Sequence, residues 1–279
     1  ENTAAQGAIH NTIGGNLQYS DNRGGGELLA RDNDVSCNLQ FSSNQNTLAI
    51  HTNVVRQDLQ VSTNQGASSL TNNTVHQNLQ CVDNVPAPTG SGNTVNGDAE
   101  GQCSNLTGNP QPTPSSTPGG PNPTPSSTPQ GPTPTQTPIG TPGSGNDVCT
   151  GVVGAVTFEE LRVPQNATCR LNSTIVQGNI KVETNATLIA INIPVGGNIQ
   201  AERHARVEVG ASRVDGDIQL KSGGEGIVQR TTINGNLQVE ENNAPQEATG
   251  NTIGGDLQMS KNTGGGRLLA GTNTVDGNL

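Results

Sequence analysis

The chain has no tryptophan, one tyrosine, two phenylalanines and one methionine in 279 residues. That scarcity leaves Leu, Ile, Val and Ala to fill any interior, so a large globular core is not expected. It also removes the aromatic sugar platforms that polysaccharide-cleaving clefts use. Charged residues are only 13% of the chain, the net charge is −10, and no basic cluster with interleaved aromatics occurs. Nucleic acid and anionic membrane surfaces are therefore disfavoured as partners. No run of about eighteen apolar residues exists, and no charged region followed by an apolar run opens the chain, so neither membrane insertion nor a retained signal peptide is expected.

What is present is repetition. Residues 241–279 copy residues 1–39 at a constant offset of 240 without a gap, with 24 of 39 positions identical. A shorter period lies inside the longer one, and finding it precedes any other reading. The phrase [IV]-x-x-[ND]-[LI], usually followed by Gln, recurs with apolar anchors at Ile13/Leu17, Val35/Leu39, Val55/Leu59 and Val75/Leu79. It returns at Val176/Ile180, Val195/Ile199, Val214/Ile218, Ile233/Leu237, Ile253/Leu257 and Val275/Leu279, with Val95/Ala99 a weaker member. Successive second anchors are 19 to 22 residues apart, the length of one coil of a β-solenoid.

Local alternation supports strands. Leu17-Gln18-Tyr19, Leu39-Gln40-Phe41, Leu59-Gln60-Val61, Ile218-Gln219-Leu220 and Leu237-Gln238-Val239 each read apolar, polar, apolar, which turns two side chains inward and one outward. Gly followed by Asn or Asp precedes such strands at Gly15-Asn16, Gly178-Asn179, Gly216-Asp217 and Gly277-Asn278, and is expected to make corners with positive φ. Coils stacked about 4.8 Å apart would align identical columns. Apolar rows would lie inside, with Gln18, Gln40, Gln60, Gln80, Gln200, Gln219, Gln238 and Gln258 outside. The fold expected is all-β, a parallel β-helix or β-solenoid.

Three segments follow. Residues 1–108 form one solenoid block, with a C-terminal cap at about 81–106. Residues 109–146 form a Pro/Thr/Ser-rich linker without Lys, Arg, Asp or Glu, extended and partly polyproline-like. Residues 147–279 form a second block, with an N-terminal cap at about 149–170. Thr113, Ser115, Thr117, Thr124, Ser126, Thr128, Thr133, Thr135 and Thr137 are candidate O-glycosylation acceptors, because Ser and Thr beside Pro resemble mucin-like stalks. An unmodified spacer is the alternative. Asn72, Asn105, Asn166, Asn172 and Asn185 stand in Asn-x-Thr sequons and are candidate N-glycosylation sites, in a composition that generates such triplets by chance.

Four of the five cysteines flank the segments next to the linker. Disulfides Cys81–Cys103 and Cys149–Cys169 are expected, each closing a loop of about twenty residues where a solenoid must end its open strand edges. Such bonds imply an oxidising, extracellular compartment. The fifth, Cys37, replaces a corner glycine whose copy is Gly277, so it reads as a spare thiol or an intermolecular bridge. On this reading the chain begins and ends in mid-solenoid. It is expected to be either a window of a tandem array with a period of about 240 residues or a subunit whose open ends stack on neighbours.

The closing passage GNTVNGDAEGQCSNL after NLQCVDNVPAPTG, and the opening CTGVVGAVTFEELRVPQNATCRL, resemble bacterial secreted β-helix repeat proteins with V-x-G-N-L-Q coils. The resemblance covers nearly everything except the linker. It implies a right-handed parallel β-helix at or outside the cell surface, mostly without an assigned activity. The sequence departs from that glycine pattern at Cys37, Gln57 and Gln77.

An enzyme is not expected. Asp58, Asp98, Asp217 and Asp256 interchange with Asn in other coils, which argues for turn chemistry rather than for catalytic or calcium-binding carboxylates. His10 matches Gly250, while His51, His76 and His204 fall at unrelated positions, so no catalytic residue, metal site or cofactor is assigned. The expected function is that of an extracellular structural protein forming filaments or surface fibres by end-to-end stacking or tandem array. Its partner is itself, with glycans as a second candidate. The alternatives are a cell-surface adhesive or carbohydrate-binding β-helix module and, behind it, a polysaccharide-degrading β-helix.

Overall fold

A computed structural model of the chain describes residues 5–24, 26–108, 147–264 and 266–279. None of these residues is helical, and the strands stack in parallel as a β-solenoid. The linker at 109–146, with all nine candidate O-glycosylation acceptors, lies outside the described residues.

A full coil carries three strands, one per face. The first face takes strands such as Gln6–Ile9, Leu28–Arg31 and Leu48–His51, and the second takes two-residue strands such as Thr12–Ile13 and Asp34–Val35. The third takes the Leu-Gln strands, Leu17–Ser20, Leu39–Ser42 and Leu59–Ser62. Register is strict: Leu17, Gln18 and Tyr19 pair with Leu39, Gln40 and Phe41, and these in turn with Leu59, Gln60 and Val61. A slip of one residue would turn the Leu column outward, so the pattern itself fixes the register.

The interior is built from columns. Ile13, Val35, Val55 and Val75 form one and Leu17, Leu39, Leu59 and Leu79 another, all but fully buried. Burying such a side chain contributes roughly 1.5–3 kcal/mol before entropy is counted, and each column repeats that contribution coil by coil. Tyr19 and Phe41 stack with ring centroids 4.8 Å apart. On the outer side of the third face, Gln40 Nε2 donates to Gln60 Oε1 at 2.8 Å and Gln60 Nε2 to Gln80 Oε1 at 3.1 Å.

Positive φ is not where the glycine corners suggested. It falls at His10, Asp32, Thr52 and Asn72 after first-face strands, and at Asp21, Ser43, Thr63 and Asp83 after third-face strands. Each of these residues is followed by a buried Asn. The corner glycines serve another purpose, close approach between coils: a Cβ on Gly196 would lie 2.1 Å from Gln177 O, and one on Gly216 2.2 Å from Asn198 Oδ1.

Two buried Asn columns result. Asn11, Asn33, Asn53, Asn73 and Asn93 form the first, and Asn22, Asn44, Asn64 and Asn84 the second. In each, the backbone N–H and Nδ2 of one Asn reach Oδ1 of the next coil's Asn, as Asn33 does to Asn53 at 3.1 and 2.9 Å. The second amide hydrogen goes to a strand carbonyl, from Asn53 Nδ2 to Ala30 O at 2.9 Å. A buried amide is thus fully engaged, which is what its burial requires.

Candidate assembly interface

The two solenoid blocks meet. Strand Gln6–Ile9 pairs in parallel with Leu268–Gly271, and Thr12–Ile13 with Thr274–Val275, so the coil that opens the chain lies on the coil that closes it. The first and second faces consequently run through twelve strands each. The sheet order places the cap near Cys149 at one end and the cap near Cys103 at the other.

The bonds at this junction are those used between covalently successive coils. Thr12 N donates to Asn273 O at 2.9 Å, as Thr94 N does to Asn73 O at 2.8 Å. Asn273 continues the first Asn column into Asn11 at 3.0 Å through both its backbone N–H and Nδ2. A corner ladder also passes straight through. The backbone N–H of Asn16 reaches Asn278 Oδ1 at 2.9 Å, and that of Asn278 reaches Asp256 Oδ1 at 2.8 Å. Asp256, Asn236, Asp217, Asn198 and Asn179 then repeat the step. The Asp and Asn at these corners play one role, each offering Oδ1 to a neighbouring backbone N–H, and Asp58 does so for Asn78 at 2.9 Å.

Two of the ladders end on a side chain of another kind. Gln102 Oε1 accepts from the backbone N–H and Nδ2 of Asn84 at 2.9 and 3.1 Å, while its Nε2 returns to Asn84 O. At the opposite end, Glu160 accepts from the backbone N–H and Nδ2 of Asn179 at 3.3 and 3.2 Å. Cys81 pairs with Cys103 and Cys149 with Cys169, at Cα separations of 5.2 and 5.4 Å, so both disulfides sit in the caps. Cys37 is a free thiol at a partly exposed corner.

The remaining candidates scatter over the surface. Asn72, Asn105, Asn166, Asn172 and Asn185 are all exposed, and Asn185 Nδ2 donates to Asn166 Oδ1 at 2.9 Å. His10, His51, His76 and His204 do not converge, and among the described residues no group of three His, Cys, Asp or Glu side chains is placed to hold a metal ion. The buried Asn columns are the junction residues that the reading of strands missed. Their signal was an Asn two positions before the first anchor, at Asn11, Asn33, Asn53, Asn73, Asn93, Asn251 and Asn273. Comparison with protein-family models, with characterised proteins and with solved structures gives no match to this chain.

Proposed function

We propose that the protein is an extracellular structural protein whose β-solenoid units join end to end into filaments or surface fibres. The observation that carries this reading is the junction: coil 6–20 seats on coil 268–279 through the ladders of a solenoid, although Asn11 and Asn273, which meet there, are 262 positions apart in the chain. An interface that needs no covalent link can also form between copies. The 268–279 edge of one chain would then receive the 6–20 edge of the next. Each resulting unit carries a disulfide cap at both ends, and residues 109–146 tie it to the next unit. Such heterologous contacts do not close on themselves unless a ring forms.

The cap disulfides support an oxidising compartment outside the cytoplasm. An adhesive role draws less support, since Gln40 and Gln60 direct their outward amides at each other along the stack. No enzymatic chemistry is proposed. Negative-stain electron microscopy of the purified 279-residue chain in non-reducing buffer tests the proposal. Unbranched strings that lengthen with protein concentration are expected, and monodisperse single solenoids at every concentration would overturn it.

A further inference from the structure

Asn-Gly occurs twice in the chain, at Asn96-Gly97 and Asn234-Gly235, each time in the corner that follows a second-face strand. Both asparagines are exposed. Glycine is required at both corners by contact, since a Cβ on Gly97 would lie 2.7 Å from Gln77 O and one on Gly235 2.2 Å from Asp217 Oδ1. An asparagine followed by glycine is the side-chain amide most open to attack by the main chain, because the glycine nitrogen has no side chain beside it to hinder its approach to the Asn side-chain carbon.

The fold treats the two differently. Asn234 Nδ2 donates to Asp215 Oδ1 at 3.0 Å, and its coil is held from both sides. Asn234 N and Gly235 N donate to Val214 O and Gly216 O at 3.0 and 3.2 Å, while Ile233 O and Gly235 O accept from Gly254 N and Gly255 N at 2.9 and 3.0 Å. Asn96 lies instead in the outermost coil, next to the Cys103 cap. Its backbone N–H and that of Gly97 donate to Val75 O and Gln77 O, both at 3.0 Å. Among the described residues nothing donates to Val95 O or Gly97 O, and the Asn96 side-chain amide has no hydrogen-bond partner.

We propose that Asn96 is a site of spontaneous covalent modification, deamidation by its own main chain, and that the stack keeps Asn234 intact. The Gly97 nitrogen, its proton taken up by water or hydroxide, attacks Cγ of Asn96. A C–N bond forms, the side-chain nitrogen leaves as ammonia, and a cyclic succinimide results. Water then opens the ring at either carbonyl to leave aspartate or isoaspartate, so that one water is consumed and one ammonia released with no change of oxidation state. To reach Cγ the Gly97 nitrogen gives up its bond to Gln77 O, and such local opening is easiest in a coil with one neighbouring coil rather than two. The product adds a carboxylate to residues 57–108, which hold Asp58, Asp83, Asp98 and Glu100 and no Lys or Arg. As isoaspartate it also lengthens the main chain by one carbon close to Asn93, whose Nδ2 holds the cap through Leu106 O at 2.8 Å.

The full chain is incubated in mildly alkaline buffer, once folded with its disulfides intact and once reduced in concentrated urea. Peptides carrying Asn96 and Asn234 are then followed by mass spectrometry for the replacement of the amide by a carboxyl group. In the folded chain Asn96 is expected to convert roughly tenfold faster than Asn234, the ratio expected where Asn234 has at least one more hydrogen bond to break first. In the unfolded chain the two rates are expected to converge, since the local sequences Val-Asn-Gly-Asp and Ile-Asn-Gly-Asn are nearly alike. Equal rates in the folded chain, both zero included, a faster Asn234, or a ratio that unfolding leaves unchanged would overturn the proposal.

Discussion

Asn273 donates its Nδ2–H to Oδ1 of Asn11 at 3.0 Å, between residues 262 positions apart in the chain. The same amide also donates to Ala248 O at 2.9 Å, so it ties three coils together in the dry interior. Solenoid coils are held by their neighbours rather than by a common core. The Asn columns supply that hold in many coils, and the first column carries it across the junction from Asn273 to Asn11.

Asn53→Ala should therefore be costly for a substitution to a small residue. It strips the acceptor from Asn33 N and Nδ2 and the amide donor from Ala30 O, and leaves Asn73 Oδ1 with the backbone N–H of residue 53 alone, all in buried surroundings. A loss of about 3 kcal/mol is expected, because buried groups left without partners bear their full desolvation penalty. Urea denaturation beside the wild type measures it, and an unchanged midpoint would mean that the column is decoration.

Glycine at the corners should matter through contact rather than through backbone angle. A Cβ on Gly15 would lie 2.5 Å from Asn278 Oδ1 and 2.9 Å from Gly277 O, across the junction. Gly15→Ala is expected to weaken the junction by about 1–3 kcal/mol, the usual range for overpacking, and so to shift string formation to higher protein concentration. Strings of wild-type length at wild-type concentration would show that the two coils do not meet at Gly15 when copies join.

How much of this was legible depended on how regularly each strand is written. The second and third faces announce themselves because Val or Ile stands four residues before Leu or Ile, followed by Gln, in nearly every coil. The first face was not read. Its strands change from QGAI to LLAR to SSLT, and the loop before them varies, so that Leu39 and Leu48 are nine residues apart but Leu17 and Leu28 eleven. The buried Asn columns were not read either: the corner Asn named from the sequence, such as Asn16 and Asn179, are a different set from Asn11 and Asn33, which are 1% exposed. Composition cannot separate a turn Asn from a buried one. The separation comes from the preceding residue, His10 or Asp32, whose positive φ rotates the Asn side chain inward. The cap pairings were legible because each Cys pair flanks a single coil.

Reducing the disulfides should loosen the ends and leave the middle. Cys81–Cys103 and Cys149–Cys169 close loops with sequence separations of 22 and 20 residues. Each contributes roughly 3 kcal/mol by restricting the unfolded chain. In Cys81→Ser/Cys103→Ser, amide exchange is expected to accelerate around residues 79–106 first, with Asn33 and Asn53 still protected. Uniform acceleration along the stack would instead make the chain a single cooperative unit.

The last expectation concerns pH and rests on one side chain. His204 lies in the space that Gly223 leaves open, where a Cβ would come 2.3 Å from its Nδ1. It is 2% exposed, and among the described residues neither ring nitrogen has a hydrogen-bond partner. Burial pushes its pKa down from 6.5 to about 4. Above pH 6.5 the imidazole is neutral in both the folded and the unfolded chain and contributes no pH dependence. Between 6.5 and 4 the unfolded chain binds a proton that the folded chain refuses, so stability falls as pH falls, by about 3 kcal/mol across the window. Below pH 4 this group adds nothing further. His204→Asn places an amide in line with the column that Asn242 and Asn262 occupy, and should remove the slope while keeping the fold at pH 7. Urea midpoints of both proteins at pH 4.5, 5.5 and 7 decide the matter: a wild type no more acid-sensitive than His204→Asn would mean that the imidazole is already protonated in the folded stack, and that the corner is wetter than its burial implies.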